Sequence, residues 1–116
     1  MFKKQLPIVT GNELIPNIIH TMSSGRLGIA VVVDKNKIKG IITDGDLRRA
    51  MNSHTEKFFS LKAKDIMTER PKTIAKEMKM AEAEDIMNKY KITSLLVADK
   101  KGKLEGVVQI YSINSN

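Results

Sequence analysis

Cysteine is absent from the 116 residues, and with it every disulfide, thiolate nucleophile and thiolate metal ligand. Tryptophan is absent too, and aromatic rings come only from two tyrosines and three phenylalanines. Single-stranded nucleic acids stack their bases on such rings, so that platform is missing. No run of about 18 apolar residues occurs, which leaves no membrane-spanning helix to expect. Residues 6–10 are too short an apolar stretch to read as the core of a secretory leader. A reducing, cytoplasmic setting is the expectation that follows.

Arginine is scarce as well. The net charge of +7 comes mainly from lysine, with arginine only at Arg26, Arg48, Arg49 and Arg70. The lysines are spread along the chain, which reads as a solvated surface and gives no reason to expect a nucleic-acid or membrane partner. His20 and His54 have no third ligand at metal-like spacing, and no glycine-rich phosphate loop is present. Neither a metal nor a catalytic residue is therefore expected. The seven methionines read as core filler on helix stripes.

What the chain does contain is a repeat. Leu27-Gly-Ile-Ala-Val-Val-Val-Asp34, a turn and Ile38-Lys-Gly40-Ile-Ile42 recur as Ile92-Thr-Ser-Leu-Leu-Val-Ala-Asp99, a turn and Leu104-Glu-Gly106-Val-Val108. The first segments lie 65 positions apart and the glycines 66, because the second turn is one residue longer. At this length the two halves are expected to share one modest core.

In the first half, Pro7 bars a helix interior and residues 6–9 read as a short extended piece. The spacing of Ile15, Ile18, Ile19 and Met22 predicts a helix over 13–23, with Pro16 in its first turn and Gly25 as its stop. Residues 29–33 form a continuous β-branched strand covered on both faces, and 38–42 return as the second arm of a hairpin. A helix over 46–51 closes the unit. The second half follows with a strand at 73–74, a helix over 79–90 with Met80, Ala83, Met87 and Tyr90 on one face, and strands at 95–98 and 104–108. The expected organisation is a first repeat at 1–53, a packed linker at 54–64 containing Phe58, Phe59 and Leu61, and a second repeat at 65–116.

Each repeat thus reads β-α-β-β-α, an α/β (α+β) unit too small to cover its own sheet. Packing sheet to sheet about a pseudo-twofold axis, with a ligand cleft between the repeats, is the expected solution. The chemistry concentrates in Gly40-Ile-Ile-Thr-Asp-Gly-Asp-Leu-Arg-Arg49, where a strand runs into a helix through a hydroxyl, a glycine and two carboxylates. Helix N-termini present free N–H groups and favour anions, and Asp46 in the first turn is placed to accept from paired hydroxyls or to cap the helix.

These residues resemble a tandem pair of cystathionine-β-synthase-type (CBS) domains over nearly all of residues 6–113. The diagnostic piece, Gly-apolar-x-Thr/Ser-x-x-Asp, stands as Gly40-Ile-Ile-Thr43-Asp44-Gly45-Asp46. In that family the threonine and aspartate meet the phosphate side and the ribose hydroxyls of a nucleotide. The resemblance therefore implies ligand-binding roles for Thr43, Asp44, Gly45 and Asp46. It maps the facing wall onto Arg70, Lys72 and Thr73 and onto Ile92, Thr93 and Ser94, with Ile92 against a base and Arg70 or Lys72 near phosphate.

More narrowly, Gly40 to Arg49 followed by Asp65-Ile-Met67-Thr and Pro71-Lys-Thr73 is similar to the C-terminal CBS pair of arabinose-5-phosphate isomerases. Those enzymes make arabinose 5-phosphate from ribulose 5-phosphate on the route to the sugar Kdo. The resemblance implies a non-catalytic regulatory segment of a longer isomerase, with CMP-Kdo, AMP or ATP as the effector. The attached isomerase domain and a second copy in a homodimer are its implied partners. The second junction, Gly106-Val-Val-Gln109-Ile-Tyr-Ser112, lacks the threonine and aspartate, so one competent site is expected. The alternative is a dimerisation module whose cleft is vestigial.

Overall fold

The computed structural model describes residues 6–109, which have a mixed α/β fold with two sheets. The chain divides into two compact units, Pro7–Pro71 and residues 72–109 together with Leu6.

The first unit runs β1 (Ile8–Val9), α1 (Ile15–Gly25), β2 (Ile29–Asp34), β3 (Lys37–Thr43), α2 (Asp44–His54), a 3-10 helix (Thr55–Ser60), α3 (Ala63–Ile66) and β4 (Thr68–Glu69). Its sheet has the order β1-β2-β3-β4, with β1 parallel to β2 and the other pairs antiparallel. Period-two alternation sends Ala30, Val32 and Ile42 to the helix side, where they join Val9, Ile15, Ile18, Met22, Phe58 and Ala63 in one core cluster. Ile29 and Val31, pointing the other way, are buried as well. Complete burial of side chains this size is worth about 1.5–3 kcal/mol each, which fixes the register of β2 against β3. Pro16 sits in the first turn of α1, where its missing N–H costs nothing, and Arg26 ends that helix at φ 58.

The second unit repeats the plan with β5 (Thr73–Ile74), α4 (Met80–Tyr90), β6 (Ser94–Ala98) and β7 (Leu104–Gln109), in sheet order β5-β6-β7. The two hairpins have the same register. Ala30 faces Ile42 and Val32 faces Gly40 in one, while Leu95 faces Val108 and Val97 faces Gly106 in the other. Each carries its irregularity at the equivalent place, after Val32 and after Val97. Lys91 ends α4 at φ 54, the counterpart of Arg26. Leu95, Val97 and Val108 pack with Ile74, Ala83 and Met87 to form this unit's core.

Three side chains depart from the expected stripes. Ile19, Met80 and Tyr90 are exposed, while Ile86 packs against the second core in their place. In the connector Phe58 is buried but Phe59 is 61% exposed, one ring lying edge-on to the other with centroids 5.0 Å apart. The connector also does more than link. Ala63 N donates to Glu13 O at 2.8 Å and Lys64 N to Gly11 O at 2.9 Å, and β4 then joins the sheet beside β3. Gly40 makes that approach possible: a Cβ there would lie 2.6 Å from Met67 Sδ and 2.9 Å from Thr68 O.

Candidate site at the strand–helix junction

The junction is built by local chain chemistry. Thr43 leaves β3 at φ −112, ψ 172, the extended geometry of an N-cap, and α2 begins at Asp44. Asp46 N donates to Thr43 Oγ1 at 3.3 Å, while Thr43 N donates to Asp46 Oδ2 at 2.9 Å, a reciprocal capping box. Thr43 Oγ1 also donates to Oδ2 at 3.2 Å.

The other carboxylate oxygen reaches outward. Asp46 Oδ1 accepts from Arg49 Nη2 at 2.6 Å and from Thr68 Oγ1 on β4 at 3.1 Å. A carboxylate has about four lone-pair sites, and these bonds fill them. Asp46 is only 6% exposed, yet Arg49 is 71% exposed, so its ion pair with Asp46 is the weakly held member of the set. Arg49 also folds over the turn, its Nη1 lying 3.2 Å from where a Cβ on Gly45 would stand. The first-turn N–H groups of Asp44 and Gly45 have no acceptor within the helix and add to the dipole's positive end. The site can therefore hold an anion at the turn, and can offer Asp46 Oδ1 to a hydroxyl once Arg49 moves aside. Among the described residues, no group of three or more His, Asp or Glu is placed to hold a metal ion.

The profile of the CBS domain family matches residues 1–53 and 63–113. The chain belongs to the CBS domain family. It is 37% identical over 108 residues to the probable arabinose 5-phosphate isomerase of Haemophilus influenzae, covering 93% of this chain and 32% of that protein. It is also 37% identical over 110 residues to the arabinose 5-phosphate isomerase KdsD of Francisella tularensis, covering 94% and 33%. The chain thus spans about a third of the length of these relatives, the part corresponding to their CBS pair. Among solved structures, the CBS domain protein PAE2072 of Pyrobaculum aerophilum, complexed with AMP, superposes with a TM-score of 0.86 at 19% identity. That match covers 99% of this chain and 88% of the other and establishes the shared fold.

Of the residues singled out from the CBS motif, Thr43, Asp44, Gly45 and Asp46 come together at the junction, as contiguous residues must. Arg70 does not join them. Glu69 pairs with Gly40 and Thr68 with Ile41, so the chain runs back along β3 and carries Arg70 toward Lys39, away from Thr43. The remaining residues belong to the second unit. Lys72 Nζ stands 4.0 Å from the Tyr90 ring centroid, a cation–π contact. Thr73 and Thr93 are exposed, and Ile92 packs on the second core. Ser94 Oγ accepts from Gln109 Nε2 at 3.1 Å, with Gln109 standing at the repeat position of Thr43. Ser112, the counterpart of Asp46, lies outside the described residues. Sequence reading missed Thr68, whose partner is 22 residues away and which no local pattern marks.

Proposed function

We propose that this chain is the ligand-sensing regulatory module of a longer arabinose-5-phosphate isomerase, and that it binds a nucleotide or nucleotide-sugar at the Thr43–Asp46 junction. The observation that carries the reading is the Asp46 carboxylate, held at the start of α2 on the position where the CBS motif has its aspartate. The phosphate would take the N–H groups of Asp44 and Gly45, and a ribose hydroxyl would replace Arg49 on Asp46 Oδ1. The solved relative complexed with AMP supports a nucleotide. The place of such isomerases on the Kdo route makes CMP-Kdo the first effector to try, with AMP and ATP next. Lys72, Thr73, Ile92, Thr93 and Ser94 are the proposed second-repeat contributors. Regulation requires that the ligand bind two states of the enzyme with different affinity.

Isothermal titration of this chain with AMP, ATP, CMP and CMP-Kdo tests the proposal. One of them should bind saturably, and Asp46→Ala should weaken it well beyond threefold, which is about 0.7 kcal/mol. A smaller change in a variant that circular dichroism shows to be folded would make Asp46 a helix cap only.

A second reading is favoured by the four hydrogen bonds that already occupy Asp46. In it the junction is purely structural and the pair serves to dimerise the enzyme. A stable dimer by light scattering, with no heat from any of the four ligands, would select that reading.

A further inference from the structure

We propose that a groove at the other end of the first sheet is a separate binding site for a small phosphate ester bearing hydroxyl groups, the chemistry of a sugar phosphate. The groove encloses about 600 Å³, within the roughly 300–1,000 Å³ usual for small-molecule sites. Three separate pieces of the first unit wall it: the turn after β1, the β2–β3 hairpin and the connector. These walls are fastened together by the Lys64 N–Gly11 O bond, the pairing of Glu69 with Gly40, and the packing of Met67 on Gly40.

Lys39, Lys64 and Arg70 line this groove together with Asp34 and Glu69. None of the five takes part in a salt bridge or a side-chain hydrogen bond among the described residues. Arg70 sits at φ 52 immediately before Pro71, a region that costs a non-glycine residue free energy and that a following proline disfavours further.

The second unit offers a comparison at the hairpin wall. Its equivalent groove, about 500 Å³, is lined by Lys76 and Lys100 against Glu77, Asp99 and Glu105. Among the described residues the second groove has two cations against three carboxylates, and it has no wall equivalent to the connector that brings Lys64, Glu69 and Arg70 to the first. At the hairpin wall Lys39 of the first repeat becomes Glu105 in the second. Asp99 is moreover engaged by the N–H groups of Lys101 and Lys103, whereas Asp34 has no such partners.

The ligand class follows from this mixture. Three unpaired cations favour a phosphate, while Asp34 and Glu69 beside them are acceptors for hydroxyl groups. Val32, Ile38 and Met67 offer the apolar face against which a sugar's carbon skeleton can lie. The site is distinct from the junction, because Lys39 and Thr43 are four residues apart along β3, about 13 Å.

The test is titration of this chain with arabinose 5-phosphate, arabinose and inorganic phosphate, followed by isothermal calorimetry at low and high salt. The phosphate ester should bind saturably, more tightly than either fragment, and more weakly as salt rises. Lys39→Glu, which installs the second repeat's residue, and Arg70→Ala should each weaken it about tenfold or more. Arg49→Ala, at the junction, should leave it within about twofold. No binding at about 10 mM ester, or equal loss in Arg49→Ala, overturns the proposal. So does binding that neither groove substitution affects, as would tighter binding of AMP that displaces the pentose phosphate from the groove. A nucleotide bound at the junction and insensitive to Lys39→Glu would leave this test and that of the junction independent.

Discussion

Replacing Asp46 with alanine removes one carboxylate and four hydrogen bonds at once. The loss falls unevenly. The bond from Arg49 Nη2 is the shortest at 2.6 Å, but its donor is 71% exposed and regains water, so it contributes well under about 1 kcal/mol. The bonds from Thr43 N, Thr43 Oγ1 and Thr68 Oγ1 are partly buried, and each contributes about 0.5–1.5 kcal/mol. Because the freed donors can partly rehydrate, the sum comes to about 2 kcal/mol. With a urea slope of about 1.5 kcal/mol per molar, the unfolding midpoint should fall by about 1.3 M. Asp44→Ala is the control: Asp44 is exposed, makes no side-chain hydrogen bond and contributes only its dipole interaction, about 0.5 kcal/mol or 0.3 M. Thr68→Val should cost about 0.5–1 kcal/mol and be non-additive with Asp46→Ala, since the two share one bond. Equal midpoints for the Asp44 and Asp46 variants would refute this account of the junction.

Gly40→Ala should destabilise the chain by about 1–3 kcal/mol, because Thr68 O cannot swing away as a flexible side chain would; thermal melts read the loss, and a neutral result would mean β4 is not fixed to β3. Phe58→Ala should cost about 3–5 kcal/mol, whereas Phe59→Ala should stay within about 0.5 kcal/mol, by the same denaturant series. The Asp99 carboxyl is held below its ordinary value by the backbone N–H of Lys103, with that of Lys101 and both lysine charges adding to it. A depressed folded value means stabilisation that is present above the unfolded value of 3.8 and is lost as pH falls through the folded one. The stability difference between wild type and Asp99→Asn should therefore shrink on going from about pH 5 to about pH 3, and a constant difference would contradict it. Lys91→Gly should stabilise α4 slightly, by at most about 1 kcal/mol in a melt, since the residue sits at φ 54.

The hairpins and the strand–helix junction were legible in the sequence because each depends on neighbours close along the chain. Alternation, β-branching and the turn residues marked both hairpins, while the pairing of Ala30 with Ile42 and of Leu95 with Val108 came only with the structure. At the junction the cap is Thr43, with Asp46 bonding back to it as the third helical residue instead of capping the helix itself. The mixed α/β fold and the CBS family both follow from that local regularity repeated 65 residues later. What stayed hidden was non-local. A two-residue strand such as Thr68–Glu69 has no period to detect, and its place beside Gly40 depends on a glycine that reads as a mere motif letter. Arg70 was assigned to the facing wall by resemblance alone, and no sequence pattern showed that antiparallel pairing of β4 would carry it toward Lys39. The stripes were less accurate at their edges: Ile19 and Tyr90 have the right spacing, but lie beyond the arc of helix that the sheet can cover.

Because β4 is zipped to β3 and bolted to Asp46 through Thr68, the chain leaving at Pro71 is no slack rope. Going inward from Pro71 the chain meets Glu69, paired with Gly40, and then the Thr68 hydroxyl on Asp46 Oδ1, so anything that takes that oxygen for itself also unfastens one of the ties on this strand.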